Sequence, residues 1–187
     1  RVAPGGAAEL YGLQPDIVTY GKALGQGFPV AAIAGPDHIM ESIEYGKVLH
    51  YGSHNAPRLG LYAAKTMLEE MSKDNFANFK KISDIGEQMT RRLNLVAKET
   101  GQNMVVQNVG SMFHPVFTDL DAITGYRDFC GTVDLAKYGV FSQLMRDQGI
   151  FFSGNKILHN LSCTEHTQSD IDVSIEAAGK ALEQTAK

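Results

Sequence analysis

A chain of 187 residues with 43% hydrophobic and 20% charged residues is long enough to bury the core of one domain or two small ones. The net charge of −4 and pI near 5.8 carry no basic footprint, which sets nucleic acid aside as a main partner. No apolar run approaches the roughly 18 residues of a membrane span, and no signal-peptide pattern opens the chain. Cys130 and Cys163 form neither a CxxC pair nor a disulfide framework, so the expected setting is reducing and cytoplasmic, with no membrane partner.

The chain begins without methionine on RVAPGGAAELYG, which reads as the middle of a longer protein, with one or two helical turns over Ala7 to Tyr11. Next comes PDIVTYGKALGQGFP, Pro15 to Pro29. Here an apolar run (Ile17, Val18, Tyr20) leads to Lys22, and Gly25, Gly27 and Pro29 follow, as where a strand breaks into a glycine-rich turn. Such a lysine reads either as a surface charge in a turn or as a chemical group. In a pocket at a strand end, desolvation would lower its pKa and the neutral amine could attack a carbonyl.

Val30 to Ala34 is wholly apolar and ends at Gly35-Pro36, the pattern of a short buried strand. Asp37 reads as the N-cap of a short helix carrying Ile39, Met40 and Ile43. Gly46 to Pro57 lacks periodicity and is rich in His, Ser and Asn, a loop better suited to function than to packing. Apolar residues then recur at helical spacing from Arg58 to Met71. After Lys73-Asp74-Asn75 a second, longer helix is expected from about Phe76 to Thr100, capped by Asp74, with Phe79, Ile82, Ile85, Met89, Leu93 and Val96 on one face.

The texture changes near Asn103. Met104 to Val109 and Met112 to Thr118 read as neighbouring strands about Gly110-Ser111. Asp119 to Gly131 reads as a polar, mobile loop, Asp134 to Gln148 as a helix ended by Gly149, and Ile150 to Phe152 as a strand that Lys156 to Ser162 could pair with. Thr167 with Asp170 resembles a capping box for a terminal helix burying Ile171, Ile175, Ala178 and Leu182.

In this order RVAPGGAAELYG, PDIVTYGKALGQGFPVAAIAG, a Gly-Ser loop before an apolar helix, GSMFHPVFTD and EHTQSDID resemble the class III pyridoxal-phosphate aminotransferases, in the branch containing glutamate-1-semialdehyde aminomutase. The resemblance covers essentially the whole chain. It implies an α/β fold: the C-terminal part of a fold type I large domain over residues 1–73, then a small α+β domain over 74–187 that starts with the long helix. It also implies that Lys22 holds pyridoxal 5′-phosphate as a Schiff base and shuttles a proton between substrate and cofactor. Gly25 and Gly27 would let the backbone pass close to the cofactor, or simply make a turn. Gly52-Ser53 stands where the family has Gly-Thr, which reaches the cofactor phosphate of the neighbouring subunit; this implies a homodimer with shared active sites. Ser53 could instead cap the following helix.

The sequence departs from the family pattern in places. Pro57-Arg58 replaces Asn-Pro, and Arg58 reads either as a carboxylate-binding group or as a surface charge. Ile157-Leu158-His159 aligns with the Phe-Glu-Ala of the aminomutases, so a carboxylate has become aliphatic. That points toward transfer between separate molecules, an amino donor and a 2-oxo acid. The histidines lack metal-ligand spacing; His54 is the one expected to touch substrate. The family's Asp-Glu-Val, its glycine-rich phosphate loop, its stacking aromatic and its main substrate arginine are not in this chain. An N-terminal part of the same enzyme, of roughly 200 residues or more, is therefore an expected partner. An aminomutase or racemase, and a non-catalytic interaction domain, are the competing expectations.

Overall fold

The computed structural model describes residues 1–44 and 46–185. They fall into two compact units, one spanning Ala3–Phe79 and one from Lys80 onward.

The first unit holds α1 (Gly6–Tyr11), β1 (Val18–Tyr20), a 3₁₀ turn (Lys22–Gly25), β2 (Ala32–Ala34), α2 (Asp37–Glu44) and the start of α3 (Arg58–Glu99). Strands β1 and β2 pair antiparallel with Val18 opposite Ala34 and Tyr20 opposite Ala32. The expected buried strand is thus shorter, and all three residues of β2 are exposed. A ribbon of two short strands has no second layer of its own to cover it. Helix α2 starts on Asp37 itself: the Pro36 carbonyl accepts from the amides of Ile39 and Met40, so the capping position lies one residue earlier than expected.

Helix α3 is broken where Lys73-Asp74-Asn75 interrupts the apolar pattern. Lys73 is extended, with ψ of 151°, and Asp74, Asn75 and Phe76 take φ of 48°, 53° and 62°. Left-handed backbone at three successive positions ends one helix before the next begins. Beyond the break Ile82, Ile85, Met89 and Leu93 are buried, as the stripe requires.

The second unit contains the rest of α3, β3 (Met104–Val109), β4 (Met112–Phe117), α4 (Tyr126–Thr132), α5 (Leu135–Asp147), β5 (Asn160–Leu161) and α6 (Gln168–Thr185). Its sheet is antiparallel in the order β3-β4-β5, and the hairpin closes at Val109 opposite Met112 with Gly110 at φ 55°. Leu93 of α3, Phe117 of β4, Phe141 and Met145 of α5 and Ala178 and Leu182 of α6 meet in one core, each no more than 1% exposed. The Leu, Phe and Met side chains among them, fully buried, carry about 2 kcal/mol each in transfer free energy. Asp134 caps α5 by accepting from the Lys137 amide at 2.8 Å. The Thr167–Asp170 capping box forms in both directions, Thr167 N donating to Asp170 Oδ2 at 2.8 Å and Asp170 N to Thr167 Oγ1 at 3.3 Å.

Two expectations fail in this unit. Ile150 to Phe152 is not a strand, and β5 pairs with β4, Leu161 opposite Met112 and Asn160 opposite Phe113. Side chains, not a ladder, hold the segment: Ser153 N donates to Asn160 Oδ1 at 2.8 Å, and the Phe152 ring packs edge-on against Phe113 and Phe141. Asp119 to Gly131 is also no free loop. It contains most of α4, and Gln107 pins it by donating to the Ile123 carbonyl at 3.2 Å and accepting from the Ile123 amide at 2.7 Å. A loop whose backbone polar groups are met by a strand side chain gains local order that composition does not reveal.

Candidate functional site

The Lys22 turn is built by backbone geometry more than by side chains. Gly21 is extended, Lys22 turns to φ 50°, Gln26 to 48° and Gly27 to 94°. Three backbone bonds close it, Leu24 N to Gly21 O at 3.1 Å, Gln26 N to Ala23 O at 3.3 Å and Phe28 N to Gly25 O at 2.9 Å. A left-handed lysine costs about 1–2 kcal/mol relative to a right-handed one, and such outliers persist where surrounding structure holds them. Part of that structure is a close approach: Gly25 is buried, and a Cβ there would meet Val30 Cγ1 at 2.7 Å.

The same Val30 braces the start of α3. A Cβ on Gly60, in the first turn of that helix, would lie 3.1 Å from the Pro29 carbonyl oxygen, 3.1 Å from Val30 Cβ and 3.3 Å from Pro57 Cγ. Gly25, Val30 and Gly60 therefore lock the end of the lysine turn to the N-terminus of α3. The sequence reading attached no role to Gly60; a glycine just inside a helix start, where a better helix former is expected, was the available signal.

Lys22 itself is exposed within this chain. Among the described residues no ion pair engages it.

Gly52, Ser53, His54 and Arg58 are all exposed. Gly52 to Asn55 forms a tight turn, with Asn55 N donating to Gly52 O at 3.0 Å, and Ala56 then reverses at φ 51° before Pro57. Helix α3 opens at Arg58, and the Pro57 carbonyl accepts from Leu61 N at 3.0 Å. Ser53 is five residues ahead of the helix, too far to be its cap. Among the described residues its hydroxyl has no hydrogen-bond partner. Arg58, as the first helical residue, projects from the same short segment, but no hydrogen bond among the described residues joins Lys22 to Gly52, Ser53, His54 or Arg58.

The family model described as aminotransferase class-III matches residues 5–167. The chain belongs to this family. This class-III aminotransferase chain is 34% identical, over 183 residues, to a glutamate-1-semialdehyde 2,1-aminomutase of Thermus thermophilus; the match covers 97% of the chain and 42% of that protein. An omega-transaminase from Sphaerobacter thermophilus matches in structure with a TM-score of 0.83 at 22% identity, over 98% of this chain and 42% of that one. A structure described as a transaminase with PLP bound matches with a TM-score of 0.81 at 23% identity, again over 98% and 42%. The class-III chain thus spans less than half the length of these relatives. Its mixed helix-and-sheet fold agrees with the α/β class read from the sequence and with that of part of the transaminase structures it matches. Among the described residues no helix is long and apolar enough to cross a membrane.

Proposed function

We propose that this chain supplies the cofactor lysine, Lys22, of a pyridoxal-phosphate-dependent aminotransferase that moves an amino group from an amino acid or amine to a 2-oxo acid. The enzyme acts as a homodimer and includes an N-terminal part beyond this chain. The observation that carries the reading is Lys22 itself: a non-glycine residue at φ 50°, one glycine beyond the end of β1, exposed and without an ion-pair partner among the described residues. A primary amine with no carboxylate beside it suits an aldehyde. The free Ser53 hydroxyl, in a turn with Gly52, suits a phosphate dianion.

Pyridoxal phosphate, when bound, supplies an electron sink that weakens a C–H bond beside an amino group. The residues of this chain have separate tasks. Lys22 Nζ would hold the cofactor and, as a free amine, would move a proton from and to the substrate carbon. Gly25 and Gly60, through Val30, keep the turn that aims Lys22. Gly52 and Ser53 orient the phosphate, and His54 and Arg58 contact substrate.

Transfer between two molecules is favoured by Leu158, an aliphatic residue where the aminomutases carry a carboxylate. The second reading, an intramolecular aminomutase, is favoured by the 34% identity to a protein of that name. The test uses the longer enzyme loaded with pyridoxal phosphate. Borohydride reduction and peptide mass spectrometry should find the phosphopyridoxyl group on Lys22 and none in Lys22→Ala; a label elsewhere defeats the proposal. Product formation that needs an added 2-oxo acid supports the aminotransferase, and turnover without one supports the aminomutase.

A further inference from the structure

The second unit holds a pair of groups that the amino-transfer reading does not use. Cys163 and His166 lie just ahead of α6, with Cys163 Sγ 3.2 Å from His166 Nδ1, and both residues are exposed. The Cys163 amide also donates to Nδ1, at 3.0 Å, and His166 N closes the turn onto the Cys163 carbonyl at 3.4 Å. A backbone amide can only donate. Nδ1 is therefore the unprotonated nitrogen, and its one lone pair is shared between the amide at 3.0 Å and the thiol at 3.2 Å. Lys81 of α3 also donates to the Thr164 carbonyl inside this turn, which fixes it against the helix.

The other thiol of the chain is an internal control. Cys130 is equally exposed, but its neighbour is the phenol of Tyr126, whose pKa is raised by its hydrogen bond to Cys130. A phenol beside a thiol cannot take up its proton near neutral pH, whereas an imidazole can.

We propose that Cys163 and His166 form a covalent modification site for soft carbon electrophiles, with His166 Nδ1 as acceptor of the thiol proton. In the reaction the S–H bond breaks and its proton passes to Nδ1. The sulfur electron pair forms the S–C bond, and the leaving group departs with its own pair, or, for an activated alkene, the adjacent carbon takes a proton from water. Nothing is oxidised or reduced. His166 then loses its proton to solvent, since its ring is exposed. The amide that shared Nδ1 turns to water for the duration, which an exposed turn permits.

The test is limiting iodoacetamide on the full chain at pH 7, with the labelling rates of the two cysteine-containing peptides read by mass spectrometry. Cys163 is expected to react about tenfold faster than Cys130. In His166→Asn that advantage should vanish while the Cys130 rate and the urea-unfolding midpoint, which reports the intact fold, stay unchanged. Equal rates in the unaltered chain overturn the proposal without any variant. A Cys163 rate that survives His166→Asn overturns the role of the imidazole.

Discussion

The side chain of Asn94 acts as a strand toward Val106: its Nδ2 donates to the Val106 carbonyl at 2.8 Å and its Oδ1 accepts from the Val106 amide at 2.9 Å. Val106 lies on β3, the edge of the sheet, so these backbone groups have no neighbouring strand to meet. The register explains a second oddity. Opposite Val106 stands Pro115, in the central strand. Because Val106 turns its backbone away from β4, no amide is required of Pro115 on that side. On its other side β5 ends at the partners of Met112 and Phe113, so none is required there either.

Replacing Asn94 by Leu should strand one buried donor and one acceptor and cost about 2 kcal/mol. Urea unfolding should show the lowered midpoint with an unchanged slope. A variant as stable as the parent would mean that water replaces the amide.

Gly86, buried on α3, faces the turn of the β3–β4 hairpin so closely that a Cβ would fall well inside contact distance of the Gly110 carbonyl oxygen and lie 3.2 Å from Ser111 Cα. Both neighbours are backbone and cannot rotate away. Gly86→Ala is expected to destabilise the second unit by about 3 kcal/mol, measured by thermal or urea unfolding, despite the better helix propensity of alanine.

At the candidate site Gly25→Ala should displace Val30 and with it the lysine turn. In the longer enzyme the expected result is severalfold weaker retention of pyridoxal phosphate on dialysis. Val30→Ala added to Gly25→Ala should recover most of it, because the clash is with Val30 Cγ1 alone at 2.7 Å and the remaining neighbours lie at 3.7 Å or beyond. Additive losses would show that Val30 does not mediate the effect.

Acid sensitivity should have two origins. The Asp170 carboxyl is held below its ordinary value by hydrogen bonds from the Thr167 amide and hydroxyl, and Asp172 by hydrogen bonds from Arg92 and Gln168. Groups with a depressed folded pKa stabilise above their unfolded value, near 3.9, and that contribution disappears as pH falls through the folded value. Asp170→Asn should therefore flatten stability against pH below about 4 and leave the neutral region sloping as before.

His114 acts in a higher range. Burial, followed by the nearby His159, pushes its pKa below the ordinary value, and its Nε2 is buried without a hydrogen-bond partner. Its ring meets Tyr138 edge-on at 5.7 Å. The folded state favours the neutral ring, so stability is complete above about 6.5, the unfolded value, and declines as pH falls toward the folded one. His114→Phe should remove the change in urea midpoint between pH 7.5 and 5.5; an unaltered change would assign it to another group.

Much of the second unit was legible in the sequence because its determinants are local. The hairpin follows from two β-rich runs about Gly110, α5 from the Asp134 cap, and α6 from Thr167 and Asp170 with an apolar stripe behind them. The misread segments are those whose backbone is satisfied by distant side chains. Phe152 is held by Phe113 and Phe141, and Ile123 by Gln107, pairings that no periodicity announces. At the candidate site Lys22 could be picked out by its place between an apolar run and glycines, and Gly52-Ser53 by its resemblance to a Gly-Thr loop. The bracing of the turn by Val30 and Gly60 could not, since it joins residues thirty apart through the absence of a Cβ.

By itself, then, the sequence singled out Lys22 and Gly52-Ser53 as candidates and marked most of the helices and the β3–β4 hairpin, since side-chain type, caps and spacing act over a few residues. Only the tertiary structure decided how those pieces are held: a left-handed Lys22 kept by a glycine packed on Val30, an edge strand completed by Asn94, and a thiol set against His166. Each depends on distances between groups that are separated in the chain or turned by its backbone, and distance is the quantity that residue order leaves open.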